Sequence, residues 1–467
     1  MIAALSEHHI GQLQAATEQL LENVGLRVQH EGLLRMARAA RARVEDASGV
    51  VRFPADVLRE LLAQAPNQYA VAGIDGVNRV IGGDSQGCLA IVTDPWIIDY
   101  ETQRPRRPQL DDIRRHTIIA QSLDQVVGIS RMDFPVTDVA GPLSSLRALE
   151  EHLLRHNKHI FVYATTEQSY RQWLEIGEIL ARDSGLALSR LMSVAVAVIS
   201  PFVISQLNGD LLLSACNNQC PVIPTVCPMA GTTAPYSAAA TLLQGNAEVV
   251  GLAALAQIVR PGTPYLYHMG PSVTDMRDGH DLYYTLDKVL WKLAAVQLGR
   301  AYNLPTGAEC GGTMTYRYDQ QNGAEGILFM LAAQRSGANL LAGIGSCYNA
   351  VGMSAEMMLI QIAWLEAARF LGRGIDTGHL QAALESIRRA GPGGSFLDDE
   401  LTLKLLRSGE FFANDLFDLS GAEDGPSLLE RAHRKLEAII EGFRSPVPEN
   451  VQEHLRRYFQ DEYRKLQ

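Results

Sequence analysis

LMSVAVAVISPFVISQLNGDLLLSACNNQCPVIPTVC, Leu191 to Cys227, decides the fold. It opens with a Val-rich apolar run, Leu191 to Ile199. From Gln206 its apolar residues recur three and four apart, and it closes on a second apolar run, Pro221 to Cys227. Short runs rich in Val and Ile read as buried strands, and the longer spacing reads as a helix. The same alternation extends outward from Leu89 to Leu371. The remaining strand candidates are Leu89 to Asp94, Val126 to Met132, His159 to Ala164, Pro264 to Met269, Thr306 to Gly311 and Asn339 to Ile344. Helices are expected to begin near Asp111, Leu143, Gln168, Gln206, Ser237, Leu282, Asp319 and Ser354, several after a plausible cap such as Thr166 or Ser354. Eight strand–helix units predict an α/β fold, a TIM (β/α)8 barrel, with a doubly wound open sheet as the alternative.

The barrel would occupy residues 88–372. Residues 1–87 read as an N-terminal helical extension of two or three helices with a small strand at Val50 to Phe53. Residues 373–467 read as a C-terminal helical extension, interrupted by Gly391-Pro392-Gly393-Gly394. Either flank could cap the barrel or build a subunit contact, so a homo-oligomer is expected.

Charge narrows the partners. Lys and Arg number 41 against 52 Asp and Glu, a net −11. That balance argues against nucleic acid or an anionic membrane and leaves a cationic or zwitterionic ligand easy to hold. The apolar run Leu191 to Ile204 is too short to span a bilayer. Met1 to His9 lacks a basic stretch followed by an apolar one, so no secretory leader is expected. Six cysteines are too few for a disulfide scaffold. The chain reads as cytoplasmic with reduced thiols.

In such a barrel the chemistry lies where the strands end. Those ends supply Asp94, Trp96 and Tyr100; Arg131, Asp133 and Phe134; Tyr163; Tyr267 and His268; Glu309, Cys310, Gly311 and Gly312, followed by Tyr316, Tyr318 and Asp319; and Cys347, Tyr348 and Asn349. Aromatics make up 7% of the chain, yet eight gather at these ends. Rings beside carboxylates suit a quaternary ammonium ion, although each ring could equally pack under a flanking helix. Phosphate-loop, dinucleotide, nucleophile-elbow and HExxH motifs are absent. His152, His156 and His159 fall beside Arg155 and Lys158 at a helix end, where cations suit the dipole. Cys216, Cys220 and Cys227 read as buried thiols rather than zinc ligands. Gln244, Asn246 and Glu248, polar within an apolar helix, read as inter-helix hydrogen bonding. No metal site is expected.

The run CPMAGTTAPYSAAATLLQGNAEVVGLAALAQIVRPGTPYLY, Cys227 to Tyr267, closely resembles the trimethylamine methyltransferase family. Pro271-Ser272, Asp275-Met276-Arg277, the set Asp319, Gln321, Gly323 and Glu325, and Gly394-Ser395-Phe396-Leu397 extend the resemblance. It implies a TIM barrel that moves a methyl group from a methylated amine to the Co(I) corrinoid of a separate small corrinoid-binding protein, with no cofactor held tightly by this chain. Members acting on trimethylamine carry pyrrolysine after strand seven. Counting back from Asp319, that position falls at or beside Gly312, so the chain resembles the non-pyrrolysine branch, whose substrates are glycine betaine, proline betaine and carnitine. The assignment is then Glu309, Gly312 and Asp319 as catalytic residues, with Trp96, Tyr100, Phe134, His268, Tyr316, Tyr318 and Tyr348 binding substrate. Two departures point to a changed pocket. Thr313-Met314-Thr315-Tyr316 lacks the acid and lysine common in the family, and Tyr348 stands where a Glu is frequent. The chain has no corrinoid-ligating DxHxxG of its own, since Asp278-Gly279-His280 is followed by Tyr283 where glycine is needed. Two other readings stand beside this one: a metal-dependent hydrolase or lyase using Glu309, His268 and Asp133, and a non-catalytic quaternary-amine sensor.

Overall fold

The structure is a computed structural model, and it describes residues 3–421 and 424–466. Seven parallel strands form one curled sheet. They are β1 (Gly87–Ile91), β2 (Val126–Arg131), β3 (His159–Val162), β4 (Met192–Val198), β5 (Val222–Val226), β7 (Gly307–Glu309) and β8 (Leu340–Ile344). The order is β5-β4-β3-β2-β1-β8-β7, every adjacent pair parallel. Residues 265–267 fill the gap between β5 and β7 and are counted here as β6. Tyr265 bridges to Val222 and Tyr267 to Thr306, both in parallel sense, and this closes the sheet into an eight-membered barrel.

The helices that follow are α1 (Leu110–Ser122), α2 (Leu143–Leu153), α3 (Glu167–Ser184), α4 (Gln206–Asn217), α5 (Ala238–Val259), α6 (Asp287–Ala301), α7 (Gln320–Ser336) and α8 (Ala355–Arg373). Their starts follow local chemistry. The side chains of Thr166, Ser205, Ser237, Asp319 and Ser354 each accept a backbone N–H in the first turn. The expected start near Leu282 is displaced. Asp281–Leu282 pairs antiparallel with Ser272–Thr274, and α6 begins only at Asp287. The reason is burial: Tyr283 and Tyr284 turn into the barrel mouth instead of joining a helix face.

The flanks are more intimate with the barrel than helical caps. Helices Glu7–Asn23, Glu31–Ala39 and Ala55–Leu62 surround the apolar helix α5. That helix is long and apolar enough to cross a membrane, yet 83% of its most apolar window is buried against its neighbours. Leu26–Val28 pairs with Val50–Arg52 and, in parallel, with Val203–Ile204 of the loop after β4. An unexpected hairpin, Gln68–Val71 with Arg79–Gly82, plugs the N-terminal end of the barrel. Its Tyr69, Val71 and Ile81 pack against Leu89, Phe161, Ile223, Leu266 and Leu340 of the inner strand faces. The barrel axis is therefore apolar and closed below, and polar groups are left to its C-terminal end. At the other terminus Leu428–Gly442 lies against α8 and α1, and Glu449–Leu466 lies against α2 and α3. Residues 374–412 meet α8 through Phe412 on Phe370 and through the Gly409 and Glu410 carbonyls on Arg373, and they expose Ile375, Leu397 and Phe411.

The plug gives a first prediction. Leu266 is 1% exposed and Leu397 88%. Leu266→Ala should lower stability by about 3 kcal/mol, and Leu397→Ala by less than about 0.5 kcal/mol. Parallel denaturant titrations of the two variants check it, and equal losses would contradict the packing described.

Candidate active site

Glu309 ends β7 and is the centre of a buried charge cluster. The Tyr283 hydroxyl donates to its Oε1 at 2.8 Å, Lys288 Nζ lies 3.6 Å from the same oxygen, and His268 Nε2 lies 3.9 Å away. Lys288 also donates to the Pro271 carbonyl at 3.1 Å and stands 2.9 Å from the centre of the Tyr283 ring. One turn along α6, Lys292 Nζ is buried with no hydrogen-bond partner among the described residues, 3.8 Å over the Phe329 ring.

These neighbours decide the protonation states. Burial alone would raise the Glu309 carboxyl, but Lys288, His268, Lys292 and the Tyr283 hydroxyl outweigh it and hold the group at about 2. Burial pushes Lys292 down to about 7, against the pull of Glu309, and Lys288 adds to the depression. Burial likewise lowers His268 and Lys288, with Glu309 opposing both. Glu309 is therefore an ionised, paired carboxylate at neutral pH rather than a general acid.

Gly270 and Gly312 make room for this arrangement. A Cβ on Gly270 would lie 2.3 Å from the Tyr283 hydroxyl and 2.8 Å from Glu309 Oε1. Gly312 has φ +113, and a Cβ there would lie 2.1 Å from the Tyr284 ring. The ring of Tyr284 thus occupies the space a side chain at position 312 would need. Its hydroxyl meets Ser346 Oγ at 3.2 Å, and its edge packs on Phe329.

Asn349 ties the loops together. Its Oδ1 accepts from the backbone N–H groups of Tyr283 at 2.7 Å and Tyr284 at 3.3 Å, and its Nδ2 donates to the Asp281 carbonyl. Its own N–H donates to the Thr313 carbonyl at 2.8 Å. Tyr348, Asn349 and Ala350 all have left-handed backbone, a costly run for non-glycine residues that these bonds hold in place.

The residues expected from the sequence divide between several places. His268 and Glu309 meet, with Gly312 beside the Tyr284 ring. Tyr316 and Tyr348 meet edge to face at 5.0 Å, where Tyr348 N–H reaches the Thr315 carbonyl. Asp319 caps α7 and pairs with Arg317 at 2.8 Å. Tyr318 turns away and bonds Ser354 Oγ at 2.6 Å, at the start of α8. The Trp96 face is covered by the Arg107 guanidinium at 3.9 Å. Tyr100 is stacked on His433 at 3.4 Å, in a separate cleft of about 430 Å3 that contains Glu356 and Glu437 but not Glu309. Phe134 lies beside Arg131, which pairs with Asp133 at 3.2 Å on the strand-two side. Asp133 is thus engaged away from His268 and Glu309, and among the described residues no three His, Cys, Asp or Glu side chains converge to hold a metal ion.

Sequence reasoning missed Tyr283, Tyr284, Lys288 and Lys292. A signal was present: two lysines four apart within the apolar run of α6 must face one buried acceptor. Asn246 makes the expected inter-helix bond, to Thr17, and also bonds Tyr302 and Tyr267, whereas Glu248 accepts from Ser200 and Phe202 of the loop after β4 and, within α5, from Gln244, which also donates to the Thr233 carbonyl. His152 and His156 contact one another at 3.1 Å in the layer under α2, and His159 bonds Ser193 and backbone carbonyls.

The family model for trimethylamine methyltransferase (MTTB) matches residues 1–466. The chain belongs to the trimethylamine methyltransferase family. Trimethylamine methyltransferase MttB of Desulfitobacterium hafniense (strain DSM 10664 / DCB-2) is 23% identical over 463 residues, covering 97% of this chain and 93% of that protein. Glycine betaine methyltransferase of Desulfitobacterium hafniense (strain Y51) is 26% identical over 454 residues, covering 95% and 93%. Proline betaine:corrinoid methyltransferase of Eubacterium limosum is 23% identical over 467 residues, covering 95% and 94%. Among solved structures, the monomethylamine methyltransferase of Methanosarcina barkeri aligns with a TM-score of 0.46 at 14% identity, covering 92% of this chain and 93% of that one. The Gly312–Tyr284 contact leaves no space for a side chain at position 312.

Two predictions follow from the site's geometry. Gly312→Ala places a methyl group into the Tyr284 ring at a left-handed backbone position, so it should abolish turnover and lower the melting temperature by several degrees. Wild-type melting and activity in this variant would contradict the contact. The second concerns pH. Lys292 has a folded pKa of about 7 against an ordinary 10.5. Between those values the unfolded chain binds more protons, so stability rises with pH; the gain is lost as pH falls through about 7. Lys292→Met removes this slope. Its stability relative to wild type should therefore be greatest below pH 7 and decline toward pH 10, measured by denaturation at each pH.

Proposed function

We propose that this protein is a methyltransferase that takes a methyl group from a quaternary amine, glycine betaine or a similar betaine, and delivers it to the corrinoid of a separate small protein docked at the barrel mouth. Family membership supports methyl transfer from methylated amines. The names of two relatives, glycine betaine methyltransferase and proline betaine:corrinoid methyltransferase, support the substrate class and the acceptor. The observation that carries the choice of a quaternary amine is the Tyr284 ring seated against Gly312. It leaves no room at that position for a side chain that would activate a tertiary amine.

The chemistry agrees. When docked, the partner's corrinoid supplies the nucleophile. The carbon–nitrogen bond breaks with its electron pair going to nitrogen, and the leaving group is a neutral tertiary amine. No proton moves, which suits a site whose central carboxylate is ionised and already paired. The task of this chain is to hold one N–methyl bond toward the mouth and to exclude water. Asn349 and Gly312 serve that task by fixing the tyrosine-bearing loop, and Tyr316 with Tyr348 would form the aromatic rim. We read the protein as cytoplasmic and homo-oligomeric, the exposed apolar side chains of residues 374–412 supporting the latter.

The test is an anaerobic screen of methylated amines with a reduced corrinoid protein, following loss of the Co(I) absorption. At least one betaine should react and trimethylamine should not; rapid trimethylamine turnover without betaine activity would overturn the reading. In the same assay Tyr316→Ala should raise KM about tenfold, because a ring face over a quaternary ammonium contributes roughly 1–2 kcal/mol. Tyr316→Phe, which keeps the face, should stay near wild type.

A further inference from the structure

Two buried carboxylates stand at the C-terminal end of the barrel, and they differ in their partners, although Glu309 makes its contacts through Oε1 alone and its Oε2 is buried without a hydrogen-bond partner among the described residues. Glu309 is enclosed by Tyr283, Lys288 and His268. Asp94, just beyond β1, is 7% exposed, and its carboxyl has no hydrogen-bond or charge partner among the described residues. Tyr284 stands over the end of β8, the strand between β7, which ends in Glu309, and β1, which leads to Asp94: its hydroxyl meets Ser346 Oγ at 3.2 Å. With nothing to compensate it, burial drives the Asp94 carboxyl well above its ordinary range. Left alone, such a group is a standing cost.

The mouth is therefore electrically lopsided. Its β6–β7 side holds two lysines and a histidine around one carboxylate, and its β8–β1 side holds one carboxylate that no cation pairs with among the described residues, the nearby Arg107 being spent on the Pro95 carbonyl and the Trp96 ring. A ligand that offered N–H groups would need acceptors arranged in fixed directions. A quaternary ammonium offers none: its charge is spread over its methyl groups and is satisfied by a nearby anion and ring faces, whatever their direction.

We propose that Asp94 is the counter-ion of the substrate's quaternary nitrogen, which lies beside Tyr284 on the β8–β1 side of the mouth, while the lysine-rich β6–β7 side receives the anionic end of a zwitterionic substrate. This rests on the quaternary-amine reading above and adds to it an orientation and a specificity residue. The pairing makes the site select for a dipole: cation toward Asp94, anion toward Lys288 and Lys292.

Equilibrium calorimetry without any corrinoid tests it, using glycine betaine, tetramethylammonium and 3,3-dimethylbutanoate, the last having the shape of glycine betaine with carbon in place of the charged nitrogen. Wild type should prefer glycine betaine to 3,3-dimethylbutanoate by about 30-fold or more, and Asp94→Asn should weaken glycine betaine and tetramethylammonium by a similar factor while binding 3,3-dimethylbutanoate at least as well as wild type does. The wild-type comparison needs no variant and stands even if Asp94→Asn folds poorly. If wild type binds glycine betaine and 3,3-dimethylbutanoate equally, or if Asp94→Asn folds and keeps wild-type affinity for both cations, the counter-ion assignment is wrong and the quaternary-amine reading survives. If wild type binds no quaternary ammonium at all, that reading fails first and this one with it.

Discussion

A carboxylate buried at the end of a barrel strand must be balanced, and the balancing of Glu309 organises the C-terminal half of this protein. Lys288 reaches it from α6, His268 from the end of β6 and Tyr283 from the loop between them, and the charge of Lys292, one turn farther along α6, acts on it through space. Removing one member would leave an uncompensated charge in a dry environment, which costs more than the pair itself contributes. The cluster also explains why α6 begins late. Residues 270–286 must run across the mouth before the helix starts, so that Tyr283 can reach Glu309 and Tyr284 can cover Gly312.

That crossing loop would be loose without Asn349. One side chain accepts two backbone N–H groups of the loop and donates to a third residue, while its own backbone is bonded to the loop after β7. The left-handed run at Tyr348, Asn349 and Ala350 is the strained conformation that aims these groups. Below, the hairpin plug makes the barrel axis apolar, which leaves one end for polar chemistry. A ligand entering there meets rings and fixed charges, with few mobile groups to rearrange. For a reaction in which no proton is transferred, preorganisation of this kind is the protein's main contribution.

The aromatic residues show how far a strand-end rule reaches. Eight rings lie near strand ends in the chain, yet their faces are used very differently. Trp96 is covered by Arg107, Tyr100 by His433, and Tyr318 is turned to Ser354, whereas Tyr316 and Tyr348 meet one another. Proximity to a strand end places a residue in the right layer. Which way it turns depends on the neighbour with which it can form the better contact, and those neighbours come from distant segments such as the helix Leu428–Gly442.

The eightfold alternation of apolar runs and amphipathic segments determined the barrel, because burial of each strand on both faces and of one stripe on each helix is written in local periodicity. Glu309 and Gly312 were legible for the same reason: their position at the end of a strand is a local property. Tertiary structure alone decided the rest. The hairpin at residues 68–82 has no strong strand pattern of its own and forms because the barrel bottom needs an apolar plug. The spacing of Lys288 and Lys292 within an apolar run hints at a buried acceptor, but which carboxylate they face was decided only when the fold brought β7 and Glu309 beside α6. Asp94 looks like any loop acid until the fold leaves it 7% exposed with no partner among the described residues. Charges act through space, and the distances that set their strength exist only once the chain has closed on itself.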